Sequence, residues 1–224
     1  LVGVGSFGFG YGCTYLGGMY VPSGLGSLTF GVFPFWVAVL AHFILGDRLT
    51  GGKVLAIAVG LGGLVTLYSG SLRELGPDTM LGVAIITSSV LVQGFGQIYV
   101  KRDGNQVPAL FLSGVGEGIG SVVLVCVAGL RGEFSQPFPL TTPVVASIAY
   151  LAVFGSIVTF LIYYSLLKRL SATLMAMVAL ITPPIAVLLG IVFKGEKLGA
   201  ITLTGGGLVL LGVLLFQIAE RRAK

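Results

Sequence analysis

"TPPIAVLLGIVFKGEKL", residues 182–198, sets two adjacent prolines in an apolar run and closes on a glycine, an acid, a base and a leucine. "FPFWVAVLAHFILGDRL", residues 33–49, has nearly the same design. With the two aligned 149 positions apart, Pro34, Leu40, Gly46 and Leu49 meet Pro183, Leu189, Gly195 and Leu198, and Asp47 and Arg48 meet Glu196 and Lys197. The same offset pairs Tyr15 with Tyr164, Leu25 with Leu174 and Gly63 with Gly212. Similarity held at one fixed spacing is the signature of an internal repeat.

The solvent of this repeat is lipid. Of 224 residues, 55% are hydrophobic and 9% charged, with a mean hydropathy of +1.04; a soluble domain is about 25% charged. The apolar residues fall into about eight runs, approximately 2–20, 24–45, 54–70, 80–100, 107–129, 144–167, 172–193 and 199–217. Each is long enough to cross a hydrocarbon core about 30 Å thick at about 1.5 Å per helical residue. Backbone polar groups in lipid must be satisfied internally, and the runs lack the alternation of a barrel strand, so an all-α membrane protein of about eight transmembrane helices is expected.

Five spans separate the second run from the seventh. An odd number of crossings forces the two copies of the motif to run in opposite directions, so the repeat is inverted, an arrangement that recurs in secondary transporters. The second unit, residues 80–224, holds five spans and a short basic tail; the first, residues 1–70, holds three, with 71–79 as linker. Equal repeats predict two more helices upstream of residue 1, hence a parent of ten spans. With residue 1 starting in the cytoplasm, Arg48, Lys53, Lys101, Arg102, Lys168, Arg169, Arg221, Arg222 and Lys224 lie inside, and only Arg73, Arg131, Lys194 and Lys197 outside. That asymmetry places both termini in the cytoplasm.

The proline-bearing span, the Gly-Asp/Glu-Arg/Lys-Leu turn and the glycine-rich span after it, present in both halves, resemble the EamA family of the drug/metabolite transporter superfamily. The resemblance covers essentially the whole chain and is closest in its last fifty residues; Asp47 stands where the family more often has Glu. It implies two five-helix repeats around a central substrate cavity, alternating access, and export of small metabolites or drug-like molecules, amino-acid-like solutes among them. A bacterial inner-membrane location follows from the same resemblance.

Proline in a helix removes one N–H and displaces the carbonyl four residues earlier, so Pro34, Pro183 and Pro184 are expected to bend their spans beside the substrate path. Gly46 and Gly195 suit the left-handed conformation that ends a helix, and Asp47 and Glu196 the positive start of the next one.

Spacing of four aligns Ser89, Gln93 and Gln97 on one span, Ser113, Glu117 and Ser121 on the next, and Gly155, Thr159 and Tyr163 on a third. Polar side chains are costly on a lipid-facing surface, so these stripes are expected to face one another and line the cavity. Tyr11, Tyr15, Trp36 and Tyr164 are candidate aromatic walls. Glu117 falls near mid-span, where an ionised side chain costs at least about 2.5–3.5 kcal/mol. It is a candidate proton carrier, or counter-charge for an amine-bearing substrate. His42, the single histidine, is the second candidate for proton coupling.

Other chemistries find little support. "GVGSFG", residues 3–8, fits a dinucleotide-binding pattern but lacks the surrounding strand and acid, and reads as helix packing. Gly8 with Gly12 and Gly114 with Gly118 fit small-residue helix contacts. Cys13 and Cys126 lie inside spans and form neither a metal nor a redox motif. No cofactor or metal is expected, and the formal charge of +5, scattered through short loops, points to lipid headgroups rather than nucleic acid. The alternatives to a carrier are an intramembrane enzyme, with Ser6 and His42 as a poor nucleophile and base, and a non-transporting scaffold or lipid-flipping protein.

Overall fold

The computed structural model describes residues 2–21, 23–67, 69, 76–135, 140–182, 184–185 and 200–223. Among these residues there is no strand. Helix α1 runs Gly3–Gly10 and on through Tyr11–Gly18; α2 is Ser23–Gly31, then Phe33–Leu40 and Ala41–Leu45. Next come α3 (Gly51–Leu67), α4 (Pro77–Asp103) and α5 (Ala109–Leu130). The chain continues through α6 (Thr142–Arg169), α7 (Ala172–Thr182) and α8 (Ala200–Ala223). Each sequence-predicted span falls on one of these helices, the seventh as far as the described residues reach. Leu25–Leu45 of α2, all of α4, α5 and α6, and Leu203–Arg222 of α8 are long and apolar enough to cross a bilayer. Large apolar side chains such as Leu55, Phe111, Val122, Ile148 and Leu151 point outward, the solvated face of a multi-pass membrane protein.

Glycine sets the packing. A Cβ at Gly63 of α3 would lie 2.6 Å from the Val209 nitrogen and 2.7 Å from the Gly205 oxygen of α8, so these backbones touch with no side chain between them. Contacts run Gly52 to Ala219, Gly60 to Gly212, Gly63 to Val209 and Leu67 to Gly205. Numbers rise along one helix as they fall along the other, so α3 and α8 are antiparallel.

The same contacts carry the repeat. Moved by 149, the pairs 63 with 209 and 63 with 205 become 212 with 60 and 212 with 56. Gly212 makes both: its Cβ would stand 2.5 Å from the Gly60 nitrogen and 2.8 Å from the Ala56 oxygen. Gly31 and Leu180 are counterparts of each other, and a Cβ at Gly31 would meet Leu180 at 3.8 Å. A residue that touches its own counterpart lies on the pseudo-two-fold axis. Backbone winding agrees: π-helical turns occupy Gly3–Gly10 and Leu151–Val158, equivalent positions to within one residue. Such turns are rare and concentrate at functional sites.

Helix α1 is wedged between α4 and α5. A Cβ at Gly3 would lie 2.8 Å from the Ile119 Cβ, one at Gly10 2.9 Å from Gln93, and one at Gly17 2.6 Å from Ile86. Helix α6 differs, because none of its most apolar stretch is buried.

One expectation about local structure needs correction, the helix contact at Gly114 and Gly118. Helix α2 is interrupted beside Pro34: the break falls at Val32, and Pro34 occupies the first turn of Phe33–Leu40. At that break the Val32 N–H turns to the Thr29 carbonyl at 3.3 Å. Gly114 and Gly118 face open space, and it is Gly116 and Gly120, on the other side of α5, that receive Phe7 of α1. Pro184 is buried in a helical stretch; Pro183, Gly195 and Glu196 lie outside the described residues.

Candidate functional site

Polar residues converge where α1, α4 and α6 meet. The Gly10 carbonyl, at the end of the π-wound stretch, accepts from the Thr14 hydroxyl at 2.9 Å and from the Ser89 hydroxyl at 2.6 Å. Ser89 is fully buried and its oxygen in turn accepts from the Gln93 amide at 2.8 Å. Gln97, one turn further along α4, donates to the Ala172 carbonyl at 2.7 Å and joins α4 to the start of α7. Its Oε1 is buried without a hydrogen-bond partner.

That oxygen belongs to a chamber lined by Ser6, Phe33, Gln93, Gln97, Tyr163 and Tyr164, of about 60 Å³. The volume suits one or two waters. Buried polar groups are normally satisfied, so this orphan acceptor is an exception among the described residues, shared only with the Glu220 Oε2.

An aromatic cluster walls the chamber. The Phe160 ring lies 4.9 Å from Phe7, 6.4 Å from Tyr11, 6.3 Å from Tyr163 and 6.1 Å from Tyr164. Glu117 is partly buried on α5, where the Ser113 hydroxyl donates to its Oε1 at 2.6 Å. Two tyrosines and two glutamines thus share one chamber.

Of the residues singled out by sequence, Gln93, Gln97, Tyr163 and Tyr164 line the chamber and Tyr11 stands against its aromatic wall, while Glu117 bonds within its own helix. The others lie elsewhere. Tyr15 is 73% exposed. Thr159 is exposed and spends its hydroxyl on the Phe154 carbonyl at 2.6 Å; Ser121 is exposed and bonds the Glu117 carbonyl at 2.7 Å. Trp36 donates to the Leu91 carbonyl at 3.1 Å and stacks edge-on against Phe95, clamping α2 to α4. His42 is exposed, its Nδ1 3.0 Å from the Asp47 carbonyl oxygen.

Gly46 has φ +73° and ends α2, with the Asp47 N–H returning to the Ala41 carbonyl at 3.2 Å in a Schellman arrangement. The start of α3 is capped by Thr50, whose hydroxyl accepts from the Lys53 N–H at 3.4 Å, so the capping role expected of Asp47 falls to Thr50.

Phe7 and Phe160 escaped the sequence reading, and Ser6, which lines the chamber, entered it only as a poor nucleophile. Phe7 and Phe160 stand one helical turn from Tyr11 and Tyr164, a spacing that could have found them. Lys101 was also missed: its ammonium donates to the carbonyls of Leu167 and Leu170 at 2.8 Å and of Lys168 at 3.2 Å, capping the end of α6. Gln97 and Lys101 together staple α4 to the α6–α7 turn.

Comparison with known proteins places this architecture. The family described as EamA-like transporter family matches residues 80–218. The Bacillus subtilis transporter YvbV is 24% identical over 214 residues, covering 96% of this chain and 69% of that protein. The Escherichia coli K12 inner membrane transporter YedA is 28% identical over 201 residues, covering 89% and 63%. A probable terminal-alkyne amino-acid exporter of Streptantibioticus cattleyicolor is 26% identical over 205 residues, covering 90% and 66%. The chain therefore spans about two thirds of the length of these relatives. A protein crystal structure superposes over the whole chain and 76% of its own, with a TM-score of 0.79 at 18% identity, which speaks to the fold alone.

Proposed function

This chain belongs to the EamA-like transporter family, and we propose that it moves a small solute across the membrane by alternating access. The observation that carries the reading is the pair Tyr11 and Phe160. They are counterparts in the repeat, their rings are 6.4 Å apart, and the chamber lies beside them. A polar chamber next to the axis relating two antiparallel halves is what rocking of one half against the other needs. At about 60 Å³ the chamber is contracted, and a bound solute of ordinary size needs about 300 Å³ or more. The halves must part to admit it.

The working assembly in this reading is two five-helix units, the first including residues 1–70 and the second residues 80–224. Helix α1 is gripped by α4 and α5, so its counterpart α6 needs two equivalent helices on the outward face of Val145, Ile148, Leu151 and Ile157, all exposed here. The same helices would cover Tyr15, the counterpart of buried Tyr164, and make it a second aromatic wall.

Export of an amino-acid-like or amine-bearing solute fits the orphan Gln97 acceptor and the mid-span acid Glu117, and accords with the Streptantibioticus relative being a probable amino-acid exporter. Glu117 is the proton-coupling group; His42, held against the turn at Asp47, is a weaker candidate. The location is the bacterial inner membrane with the C-terminus in the cytoplasm, as the basic loops require.

The test is counterflow in proteoliposomes. Vesicles preloaded with a panel of unlabelled amino acids and amines should accumulate the matching labelled solute, faster with an opposing pH gradient. Exchange no faster than in protein-free vesicles for the whole panel would refute carriage of this solute class; chemical conversion would instead support an enzyme.

A further inference from the structure

The outer face of α4 carries a second site. Val92, Phe95 and Tyr99, with Val2 and Gly5 of α1 and Ile44 of α2, form an almost wholly apolar groove of about 360 Å³ that ends at Arg102. Ile44 and Arg102 also belong to a polar recess of about 510 Å³, which adds Asp47, Lys101, Arg169 and Ser171. The apolar and the charged cavity are thus neighbours that share Ile44 and Arg102.

Length and depth say what fits. Ten residues separate Val92 from Arg102, about 15 Å of helix at about 1.5 Å per residue, half of a hydrocarbon core about 30 Å thick. The groove is one leaflet long. Its polar end carries Arg102 over the face of Tyr99, 5.8 Å from the ring centroid, a tyrosine–arginine pair of the kind that anchors a helix at headgroup level.

Charge selects the headgroup. Lys101, Arg102 and Arg169 line the recess against one acid, Asp47. Lys101 is occupied with the carbonyls that end α6 and contributes its field. Arg102 pairs with Asp103 at 2.8 Å, but both are exposed, and such pairs are weak enough to exchange for a phosphate. Arg169 is exposed on the opposite wall.

We propose that an anionic phospholipid binds here, one acyl chain in the Val92–Phe95–Tyr99 groove and its phosphate between Arg102 and Arg169. Basic recesses beside membrane helices hold such headgroups. A glycerol headgroup would also offer a hydroxyl to Asp47, so phosphatidylglycerol is the probe. The groove shares Val2, Ser6 and Gly96 with the chamber, but lipid retention and solute exchange are separate readouts, so each reading can fail alone.

Native mass spectrometry of the full chain tests it, with phosphatidylglycerol and phosphatidylcholine of identical chains in equal amounts. Wild type should retain phosphatidylglycerol about tenfold over phosphatidylcholine, and the double variant Arg102→Gln/Arg169→Gln should lose that preference. Arg221→Gln/Arg222→Gln, the same charge change elsewhere, should keep it. Circular dichroism and an Arg102→Lys/Arg169→Lys variant that retains most of the preference would show that charge, not folding, was lost. Equal retention of the two lipids by wild type, or undiminished preference in the Gln double variant, would overturn the proposal. So would equally strong capture of glycerol phosphate, which would make this a site for free phosphate.

Discussion

Tyr11 and Phe160 stand ring to ring, 6.4 Å between centroids, and each occupies the other's position in the duplicated chain. The pseudo-two-fold axis therefore runs through an aromatic contact rather than through open space. Gly31 against Leu180, at 3.8 Å, is a second point on it. The halves meet on packed side chains, and the chamber lies beside that contact.

The α3–α8 contact should be damaged equally from either side. A Cβ at Gly63 or Gly212 would come within 2.6 Å or 2.5 Å of a backbone atom that cannot rotate away. Gly63→Ala and Gly212→Ala are each expected to destabilise by about 1–3 kcal/mol, the range for overpacking. Gly62→Ala, with nothing within 4 Å of the new Cβ, should be near neutral. Thermal unfolding in detergent measures all three; unequal effects at 63 and 212 would argue against the symmetric contact.

Gly46→Ala isolates backbone strain. No atom lies within 4 Å of a Cβ placed there, yet φ is +73°, a conformation costing a side chain about 1–2 kcal/mol. A drop in melting temperature with helix content unchanged is the expected result.

Gln97→Leu should cost stability and transport together. The variant leaves the Ala172 carbonyl, now bonded at 2.7 Å, without its donor, a loss of about 1–3 kcal/mol. It also removes the unpaired oxygen from the chamber, so uptake per folded molecule should fall as well. Melting curves and counterflow on the same preparation separate the two losses.

Glu117→Gln keeps shape and hydrogen bonding to Ser113 while removing the titratable proton. Exchange at equal pH should survive, and acceleration by a pH gradient should vanish. Gradient response equal to wild type would assign the coupling elsewhere.

Much of the fold was readable from residue order because hydrophobic run length is matched to bilayer thickness. As far as the described residues reach, the spans fall where hydropathy puts them, and the offset of 149 reappears in the contacts of Gly63 and Gly212. Facing was harder to read. Gly114 and Gly118 carry the small-residue spacing, yet Phe7 docks on Gly116 and Gly120 of the same helix. Tyr15 and Tyr164 are counterparts, but one is exposed and the other buried, because α4 packs over only one of them.

Residue order by itself determined that the chain crosses the membrane repeatedly, that it is duplicated, and that an odd number of crossings turns the copies over. Those are one-dimensional properties, dictated by the cost of leaving charge or unpaired backbone in hydrocarbon. Tertiary structure alone decided that Tyr11 meets Phe160, that Gln97 of the chamber wall keeps a buried unpaired oxygen, and that Arg102 caps an apolar groove. In lipid a helix gains nothing by turning an apolar face inward rather than outward, so partners are chosen by van der Waals fit between surfaces, and fit exists only in three dimensions.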